Sequence, residues 1–410
     1  MKYYDSLETR QPAEREAWLM ERLPRQVTHA KQKSAYFGRL FADFDPGSIN
    51  SRAALATLPV TNKSDLMELQ KADSPFGGLN ATPLAGMSRV FASPGPIYDP
   101  EGRGADWWRI GRAMFAAGIA AGDLVHNTFS YHFTPAGFMF EGAAHKLGCP
   151  VFPAGIGQTE LQVHTIADLK PAAYAGTPSF LRIILEKADE LGVNVSSMSK
   201  ALVSGEALPS SLRKLLNDRG VAVRQAYATA DLGLIAYETA CDEGLIVDED
   251  MLLEIVRPGT GDPVAEGEVG EVVVTSFNPD YPLIRFATGD LSAVLSGTSP
   301  CGRTNVRIKG WMGRANQTTK VKGMFVHPSQ VAGIIARHDV IGRARLVVDN
   351  ASGQDRMTLH CESSSPSESL LAAVVASIRE ITKLRGEVSF CAIGTLPNDG
   401  KVIEDIRKYE

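Results

Sequence analysis

Residues 172–179 read AAYAGTPS and residues 201–209 read ALVSGEALP, and these two stretches decide the fold. In each of them a short apolar run leads into a glycine-containing turn and then, through a proline, into a helix. In the first, Thr177 can cap the helix that Pro178 opens, and Gly192 can close it. Strands that alternate with helices in this way predict a mostly parallel sheet, whose binding crevice lies at the ends of the strands.

Helical sequence is also expected on the N-terminal side of this core. Residues 8–44 are mostly polar, with loosely spaced apolar positions that form one face, and this pattern predicts a peripheral helical cap. The run WWRIGRAMFAAGIAA at residues 107–121 is predicted to be a single helix that ends at Gly122.

The C-terminal part of the chain has a different texture. Two strand-like segments, residues 271–275 and 291–295, are separated by Pro and Gly turns and predict a small antiparallel β subdomain. The remainder predicts a small α/β lobe with a helix after Pro366 and strands at residues 344–348, 357–361 and 387–392.

The length of 410 residues exceeds what one hydrophobic core usually supports, so two unequal domains are expected. The expected fold class is α/β. A large N-terminal domain, residues 1–316, would combine mostly parallel sheets and helices with the small β subdomain. A small, mobile α/β domain would follow at residues 317–410.

Composition excludes several classes of function. Hydrophobic residues make up 44% and charged residues 22% of the chain, as in an ordinary globular protein. A net charge of -5 offers no basic field to nucleic acid, and no apolar run is long enough to span a bilayer. The N-terminus carries charge where a signal peptide would be apolar, so a cytoplasmic location is expected.

Three short motifs could carry chemistry. The loop FASPGPI at residues 91–97 offers backbone N–H groups and the Ser93 hydroxyl to phosphate oxygens, although it lacks a Walker lysine and also suits a plain turn. In RFATGD, residues 285–290, the carboxylate of Asp290 could accept hydrogen bonds from two ribose hydroxyls or could cap a turn. Lys401 follows a turn near the chain end, where it is either an exposed charge or a group that swings in to stabilise developing negative charge.

The order of the motifs is more informative than any one of them. From the N-terminus the chain gives a Gly/Ser loop, GTPS, SGEA, YATAD, TGD, GR and finally GK. In this order they resemble the motifs of the adenylate-forming superfamily, and within it those of the phenylacetate-CoA ligase family. The likeness covers nearly the whole chain and includes YYDSLE at residues 3–8, GIGQTE at residues 155–160 and CGRT at residues 301–304.

The resemblance implies a two-step ligase. A carboxylate attacks the α-phosphorus of ATP to give acyl-AMP and pyrophosphate. The C-terminal lobe then turns, and a thiol, usually that of coenzyme A, displaces AMP. The implied cofactors are therefore ATP, magnesium and coenzyme A.

Carried over by position, the resemblance also assigns roles to residues. Lys401 would assist adenylation, Thr229 would supply a hydroxyl, and Asp231 would stand at the magnesium-associated position and reach the metal through water. Asn316 would be the hinge between the domains. Four regions would bind the nucleotide. Ser93 and Gly95 belong to the phosphate loop, and Ser204, Gly205 and Glu206 to the adenine-side loop, where Tyr227 would stack on adenine. Asp290 would hold the ribose, and Arg314, Lys322 and Gly323 lie at the start of the lobe.

The resemblance further places the acyl pocket in loops and a helix that face the reaction centre. The residues concerned are Tyr131, His132, Phe133, Phe138, Met139, Ala154, Gly155 and Ile156. Aromatic walls suit a flat aryl acid that resembles phenylacetate or benzoate, although Phe138 and Met139, taken singly, are more typical of a core. His132 could orient a carboxylate or bond to the backbone.

The chain departs from the family pattern in three places. The phosphate loop is shorter, lacks the usual lysine and contains two prolines, which remove N–H donors. The YATAD motif ends in Asp231 where the family has a glutamate, which is one methylene longer. Asn316 replaces an acidic hinge residue and so removes a charge.

Some relatives in the family carry a small zinc site, and the chain keeps part of that pattern. Cys241 and Cys301 stand at two of its positions, but Ile246 and Ser299 stand where the other ligands would be. Two thiolates do not complete a tetrahedral site, so zinc is not expected.

The sequence thus predicts an AMP-forming carboxylate-CoA ligase for an aromatic acid. Two alternatives stay open: an enzyme that hands the acyl group to a carrier protein or another acceptor, and a degenerate homologue that binds nucleotide or acyl ligand without turnover. The altered phosphate loop favours the degenerate homologue, whereas the retained Asp290, Arg314 and Lys401 argue against it. The expected partners are a small carboxylic acid and coenzyme A or a carrier protein, with no nucleic acid and no membrane, and a homodimer is left open.

Overall fold

The structure is a computed structural model, and it describes residues 2–315, 317–322, 324–350 and 355–407. The α-helices of this part of the chain are α1 (Pro12–Lys33), α2 (Ala35–Leu40), α3 (Arg52–Ala56), α4 (Leu66–Ala72), α5 (Gly111–Ala116), α6 (Ala136–Leu147), α7 (Thr159–Leu169), α8 (Pro178–Leu191), α9 (Ser210–Asp218), α10 (Pro328–Ile335) and α11 (Glu368–Thr382). Among the helices so described, none is both long and apolar enough to cross a bilayer.

The strands lie between these helices and in the C-terminal part. They are β1 (Thr61–Asn62), β2 (Arg89–Ser93), β3 (Ile97–Glu101), β4 (Val125–Asn127), β5 (Val151–Pro153), β6 (Ala173–Gly176), β7 (Lys200–Val203), β8 (Ala222–Thr229), β9 (Gly233–Tyr237), β10 (Leu245–Val247), β11 (Met251–Val256), β12 (Gly270–Ser276), β13 (Phe286–Ser292), β14 (Val294–Leu295), β15 (Arg307–Ile308), β16 (Thr319–Val321), β17 (Met324–Val326), β18 (Ile341–Asp349), β19 (Arg356–Ser363), β20 (Glu387–Cys391) and β21 (Ile403–Asp405).

A nine-stranded sheet forms the centre of the larger part. Its order is β14-β15-β10-β9-β8-β7-β6-β4-β5. From β5 to β8 neighbouring strands are parallel, as the alternation of strands and helices predicts. Strands β9, β10 and β15 continue the sheet in antiparallel pairs. The α/β fold class is therefore confirmed.

Local signals set the ends of α8. The Thr177 side chain accepts a hydrogen bond from the Phe180 N–H, Pro178 occupies the first turn, and Gly192 ends the helix with a φ of +64°. The helix after the second quoted stretch, α9, begins one residue after Pro209. Both predictions made from these stretches are confirmed.

The expected helix at residues 107–121 is shorter than predicted, because α5 covers only Gly111–Ala116. Arg109 has a φ of +65°, outside the helical region. Its guanidinium group lies 2.9 Å from Asp248 Oδ2 and donates to the Leu232 carbonyl at 2.7 Å. These long-range contacts outweigh the local helix preference, so the prediction of one continuous helix is wrong.

The parallel strands separate two hydrophobic clusters. Along β6, Ala173 and Ala175 belong to one cluster and Tyr174 to the other, and along β7 the residues alternate in the same way. Because successive side chains of a strand point to opposite faces, the two clusters lie on opposite sides of the sheet. This double burial explains why the strands read as continuous apolar runs.

The chain divides into two compact units. The first comprises Met1–Leu253, Val274–Phe286 and Leu295–Trp311, and the second comprises Glu254–Val273, Ala287–Val294 and Met312–Glu410. The second contains a four-stranded sheet of order β20-β19-β18-β21, with α10 and α11 contributing to its hydrophobic core. The remaining sheets are β1-β13-β12-β11 and the hairpins β2-β3 and β16-β17. The division at residue 316 stays a prediction.

Candidate active site

The carboxyl ends of the parallel strands meet at one edge of the large sheet. Four strands that reach this region end, in chain order, at Asn127, Gly176, Val203 and Thr229. At Gly176 a Cβ would overlap the hydroxyls of Thr128 and Tyr174, so only glycine fits where β6 turns towards α8. Turns that the sequence predicts to contain nucleotide-binding residues therefore lie at this edge.

The SGEA turn follows β7 at this edge. Ser204 is buried, its N–H donates to the Gly176 carbonyl at 3.1 Å, and its hydroxyl donates to the Ala226 carbonyl at 2.8 Å. Gly205 has a φ of +81°, which favours glycine, and both Gly205 and Glu206 are exposed. Ser204 therefore holds the turn in place while the two exposed residues remain accessible.

The YATAD motif begins in β8 and continues into the turn that follows this strand. Tyr227 is half-buried at an irregularity in the pairing of β8 with β9. The Thr229 hydroxyl accepts a hydrogen bond from the Leu232 N–H at 3.1 Å and so closes the following turn. The side chain of Asp231 is only 1% exposed. The motif thus leaves Tyr227 partly accessible and buries Asp231.

A lysine from a distant part of the sequence pairs with Asp231. Lys63 Nζ lies 2.5 Å from Asp231 Oδ2, and the Lys63 side chain is 25% exposed. Lys63 opens a 3₁₀ turn directly after β1 and is 168 residues from Asp231 in the sequence. A positive charge therefore stands beside the YATAD motif, although the phosphate loop itself has none.

Asp99, on β3, adds a second buried carboxyl to this pair. Burial, and next the negative charge of Asp231, raise the pKa of Asp99 to about 8. A hydrogen bond from Ser93 and the charge of Lys63 oppose this rise. Asp99 Oδ2 and Asp231 Oδ1 are both buried without a hydrogen-bond donor. Because the pKa of Asp99 is raised to about 8, Asp99 keeps its proton at neutral pH, and a hydrogen bond from this carboxyl group to Asp231 satisfies both atoms.

The predicted phosphate loop is a tight hairpin. Strands β2 and β3 pair in antiparallel register, Ser93 stands opposite Ile97, and the exposed turn between them is Pro94-Gly95-Pro96. The N–H of Ala92 donates to the Phe133 carbonyl at 2.8 Å. Because proline has no N–H, Gly95 is the only one of the three turn residues with a backbone donor. The turn therefore offers far fewer amide donors than an open glycine-rich loop.

Part of the predicted acyl pocket is a connected aromatic cluster. The Tyr131 hydroxyl donates to Glu141 at 2.8 Å and accepts a hydrogen bond from the Asn127 amide at 2.8 Å. The Tyr131 and Phe138 rings meet edge to face with centroids 5.2 Å apart, and the Phe138 ring also lies 5.4 Å from that of Phe91. Burial and the hydrogen bond to Glu141 raise the pKa of Tyr131, so the phenol stays neutral. These contacts form a rigid aromatic wall beside the end of β4.

The other predicted pocket residues differ in exposure. His132, Phe133 and Ile156 are exposed, and Phe133 is 81% exposed with a φ of +61°. Met139 is buried in the hydrophobic core. The N–H of Gly155 donates to the Asn127 carbonyl at 3.1 Å, which joins the loop after β5 to the end of β4. The contact of these residues with a substrate stays a prediction.

In the second unit, Asp290 and Arg314 form an ion pair. Arg314 Nη1 lies 2.7 Å from Asp290 Oδ1, and the two residues also share a backbone bridge. The N–H of Asp290 donates to the Thr288 hydroxyl at 3.2 Å, and Gly289 has a φ of +76°. The carboxylate of Asp290 is therefore held in a defined direction by its neighbours.

Glu271, on β12, is a third ionisable group beside this pair. Burial raises the pKa of Glu271 to about 7, and the charge of Asp290 contributes to the rise. A hydrogen bond from the Gly289 backbone and the charge of Arg314 act in the opposite direction. Glu271 therefore changes its charge near neutral pH.

We predict that Glu271→Gln stabilises the protein at pH 8 but not at pH 4.5. The carboxyl titrates near pH 4.5 when unperturbed and near pH 7 in the folded protein, so the wild type loses stability as the pH rises through this window. The variant escapes that loss, which we expect to be about 2 kcal/mol. Chemical denaturation at both pH values measures it, with Glu387→Gln, at an exposed strand position, as the matched control. An equal gain at both pH values would contradict the prediction.

Lys401 lies in an exposed turn that we call the lysine loop, residues 396–402. Its Nζ lies 2.9 Å from Glu404 Oε1, and its side chain is 47% exposed. Its N–H donates to Asp399 Oδ1 at 3.1 Å. Arg345 in turn pairs with both Asp399 and Glu404. The ammonium group is thus tethered at the surface by an ion pair that costs little to break.

Three further predicted residues lie near the start of the lobe. Lys322 is exposed, and its N–H donates to Asp355 Oδ2 at 2.9 Å. Asn316 and Gly323 lie outside the described residues. The roles predicted for these three residues stay predictions.

Among the residues that the structure describes, Cys241 and Cys301 belong to no cluster of metal-binding side chains. Within the described ranges, no group of three or more His, Cys, Asp or Glu side chains could hold a metal ion. Instead, Cys301 Sγ lies 3.1 Å from the Ser299 hydroxyl. Burial acts to raise the pKa of the Cys301 thiol, but hydrogen bonds from Ser299 and Arg303 outweigh it and hold the pKa below its ordinary value.

Asp231 does not present its carboxylate to a magnesium ion in this arrangement. One carboxylate oxygen is paired with Lys63, and the other is buried in contact with the Asp99 carboxyl. Magnesium requires oxygen ligands with room for several waters, and an enclosed side chain provides no such room. The magnesium role of Asp231 stays a prediction.

Sequence reasoning missed Lys63, Asp99 and Glu271. The Pro94-Gly95-Pro96 turn between two short apolar runs could have indicated a hairpin, and the register of that hairpin sets Asp99 opposite Phe91. No local signal identifies Lys63, because its partner lies 168 residues away.

Comparisons with known proteins identify the family. A family model described as "AMP-binding enzyme" matches residues 109–278. A phenylacetate-coenzyme A ligase from Thermus thermophilus is 32% identical over 387 residues, which cover 89% of this chain and 85% of that protein. A phenylacetate-coenzyme A ligase from Escherichia coli is 29% identical over 354 residues, which cover 82% of this chain and 79% of that protein.

Solved structures share the fold. A structure of 2-hydroxyisobutyryl-CoA ligase with 2-HIB-AMP and CoA, in the thioesterification state, matches with a TM-score of 0.72 at 25% identity and covers 100% of this chain and 93% of that chain. The same ligase with 2-HIB-AMP in the postadenylation state matches with a TM-score of 0.73 at 24% identity over 99% of this chain and 92% of that chain. The chain therefore belongs to the phenylacetate-CoA ligase family of AMP-binding enzymes.

Proposed function

We propose that the protein is an ATP-dependent ligase that joins an aromatic carboxylic acid to coenzyme A and releases AMP and pyrophosphate. The observation that carries this proposal is the 32% identity to a phenylacetate-coenzyme A ligase over 89% of the chain. The wall formed by Tyr131, Phe138 and Phe91 supports an aryl substrate, because flat rings gain from edge-to-face contacts. Phenylacetate and benzoate are the first acids to test.

In the first half-reaction, an oxygen of the substrate carboxylate attacks the α-phosphorus of ATP. The new P–O bond gives acyl-AMP, and pyrophosphate leaves with the electron pair of the broken bond. Magnesium, when bound with ATP, supplies positive charge to the phosphate oxygens. Lys401 would add a second positive charge to the oxygens of the reacting phosphate, where negative charge increases in the transition state.

Three groups of residues would hold the nucleotide during this step. Asp290 would accept hydrogen bonds from the ribose hydroxyls, and its ion pair with Arg314 supports this role by orienting the carboxylate. Tyr227 would stack on adenine, next to the turn of Gly205 and Glu206. The hairpin with Ser93 and Gly95 would contact the phosphates.

In the second half-reaction, the sulfur of coenzyme A attacks the acyl carbonyl carbon. The C–S bond forms, AMP leaves with the electron pair of the broken C–O bond, and the thiol proton passes to solvent. A turn of the C-terminal lobe at Asn316 would separate the two half-reactions, because Lys401 serves only the first of them.

A binding protein without turnover is the second candidate, and one observation favours it. The turn of the hairpin contains a single backbone N–H, from Gly95, where a phosphate loop usually supplies several. Such a turn could bind nucleotide too weakly to support catalysis.

One assay separates these candidates. The protein is incubated with ATP, magnesium and a panel of aryl acids, and pyrophosphate is measured with and without coenzyme A. Pyrophosphate release that depends on phenylacetate or benzoate, followed by formation of the acyl-CoA, is the expected result. Release without transfer to coenzyme A would indicate a carrier protein or another acceptor, and no release with any acid would indicate a binding protein.

A further inference from the structure

The Gln317 side chain forms hydrogen bonds to the backbone on both sides of Lys401. Its Nε2 donates to the Gly400 carbonyl at 2.9 Å. Its Oε1 accepts hydrogen bonds from the N–H groups of Val402 and Ile403, the second at 2.8 Å. One side-chain amide therefore binds the residue before Lys401 through one hydrogen bond and the two residues after Lys401 through two hydrogen bonds.

The two ends of this stretch are anchored independently. Asn398 accepts a hydrogen bond from the Val269 N–H at 3.0 Å. Gly400 has a φ of +71°, and a Cβ there would come within 2.7 Å of Val269 Cγ1, so the backbone passes too close for any other residue. On the far side, Ile403 begins β21, which pairs with β18. Gln317 joins these two anchored ends across Lys401.

An amide suits this task because it carries a donor and an acceptor in one side chain. A glutamate would keep the acceptor but would set an oxygen against the Gly400 carbonyl, and an alanine would lose all three hydrogen bonds. Both polar atoms of Gln317 are already engaged with the backbone of the lysine loop and β21. The Gln317 side chain therefore serves to hold this loop in position rather than to bind a substrate.

We propose that Gln317 is a positioning residue for Lys401. It follows the predicted hinge residue Asn316 directly, and it ties the backbone around the lysine to the segment that leads into β16. Turning at the hinge would break the contacts of Asn398 and Gly400 with Val269, but Gln317 and Lys401 would move together, so little conformational entropy is lost when the lysine meets the phosphate. The inference rests on the proposed function, because it assumes a role for Lys401 in adenylation.

The test compares Gln317→Ala and Gln317→Glu with the matched control Gln330→Ala. Gln330 makes similar contacts in the same unit: its Oε1 accepts from the His327 N–H at 3.0 Å, and its Nε2 donates to the Ile381 carbonyl at 3.2 Å. Neither contact involves the lysine loop. The two half-reactions are measured separately, as pyrophosphate release and as transfer from prepared phenylacetyl-AMP to coenzyme A.

We expect Gln317→Ala to slow pyrophosphate release about 10- to 100-fold and to leave the transfer step within about twofold of wild type. Gln317→Glu should fall between wild type and Gln317→Ala, and Gln330→Ala should change neither step. In a Lys401→Ala background, Gln317→Ala should add no further loss of pyrophosphate release, because its effect passes through the lysine. An equal loss in both half-reactions, or an undiminished effect without Lys401, would overturn the proposal.

Amide hydrogen exchange gives a readout that does not depend on turnover. Loss of Gln317 should speed exchange at Val402 and Ile403, whose N–H groups it holds, and Gln330→Ala should not. Unchanged exchange would show that Gln317 does not hold the loop. If wild type releases no pyrophosphate with any acid, the proposed function fails, while exchange still reports whether Gln317 fastens the loop.

Discussion

Replacing Lys401 with alanine is expected to lower the rate of pyrophosphate release by about 100- to 1,000-fold. The ammonium group is the proposed counter-charge for the phosphate oxygens in the transition state, and removal of one preorganised group of this kind typically has an effect of this size. The affinity for AMP should change less than about twofold, because the lysine acts on the transition state rather than on the bound nucleotide. Pyrophosphate release and calorimetric titration with AMP measure the two quantities.

The matched control for this variant is Lys187→Ala. Lys187 also pairs with a glutamate three residues further on, Glu190, so its removal costs a similar exposed ion pair. The control should keep full activity, and Lys401→Ala should still transfer the acyl group from prepared phenylacetyl-AMP to coenzyme A. Unchanged pyrophosphate release in Lys401→Ala would refute the role proposed for the lysine, and a parallel loss of AMP affinity would assign it to binding instead.

Replacing Lys63 with methionine is expected to lower the free energy of unfolding by about 3–5 kcal/mol at pH 8. The substitution leaves the Asp231 carboxylate buried beside Asp99 without its cation, and a buried charge that loses its partner is strongly destabilising. The loss should be smaller at pH 5, because Asp99, whose pKa is raised to about 8, is neutral there, whereas at pH 8 it is partly ionised and adds a second negative charge beside Asp231. Chemical denaturation at the two pH values measures the effect.

A compensating variant distinguishes this charge effect from lost packing. Lys63→Met combined with Asp231→Asn removes both charges, so it should recover most of the stability that the single variant loses. A double variant no more stable than Lys63→Met, or a single variant as stable as wild type at pH 8, would show that the ion pair does not stabilise the fold.

Elements with capping signals near both ends could be predicted from the sequence. Helix α8 begins and ends where Thr177, Pro178 and Gly192 predict, because each of these residues acts on the backbone within a few positions of itself. The strands at residues 271–275, 344–348 and 357–361 were predicted correctly for a similar reason, since their β-branched and apolar runs are bounded by turn residues.

Features that depend on distant partners could not be predicted. The run at residues 107–121 has helical composition, but Arg109 bonds to Asp248 and Leu232 and turns out of the helical region. In the candidate site, too, local motifs could be predicted and contacts between distant residues could not. The motifs that contain Ser204 and Asp290 are visible in the sequence, whereas the cluster of Lys63 with Asp231 exists only because β1 folds next to the end of β8.

The hairpin of β2 and β3 is held by its own backbone ladder, which runs from Arg89 opposite Glu101 to Ser93 opposite Ile97. A long flexible loop gives up conformational entropy when it closes over phosphates, whereas this short, proline-bounded turn has little freedom to lose. Nucleotide binding should therefore proceed in a single kinetic phase, with an association rate governed by diffusion and charge rather than by loop closure.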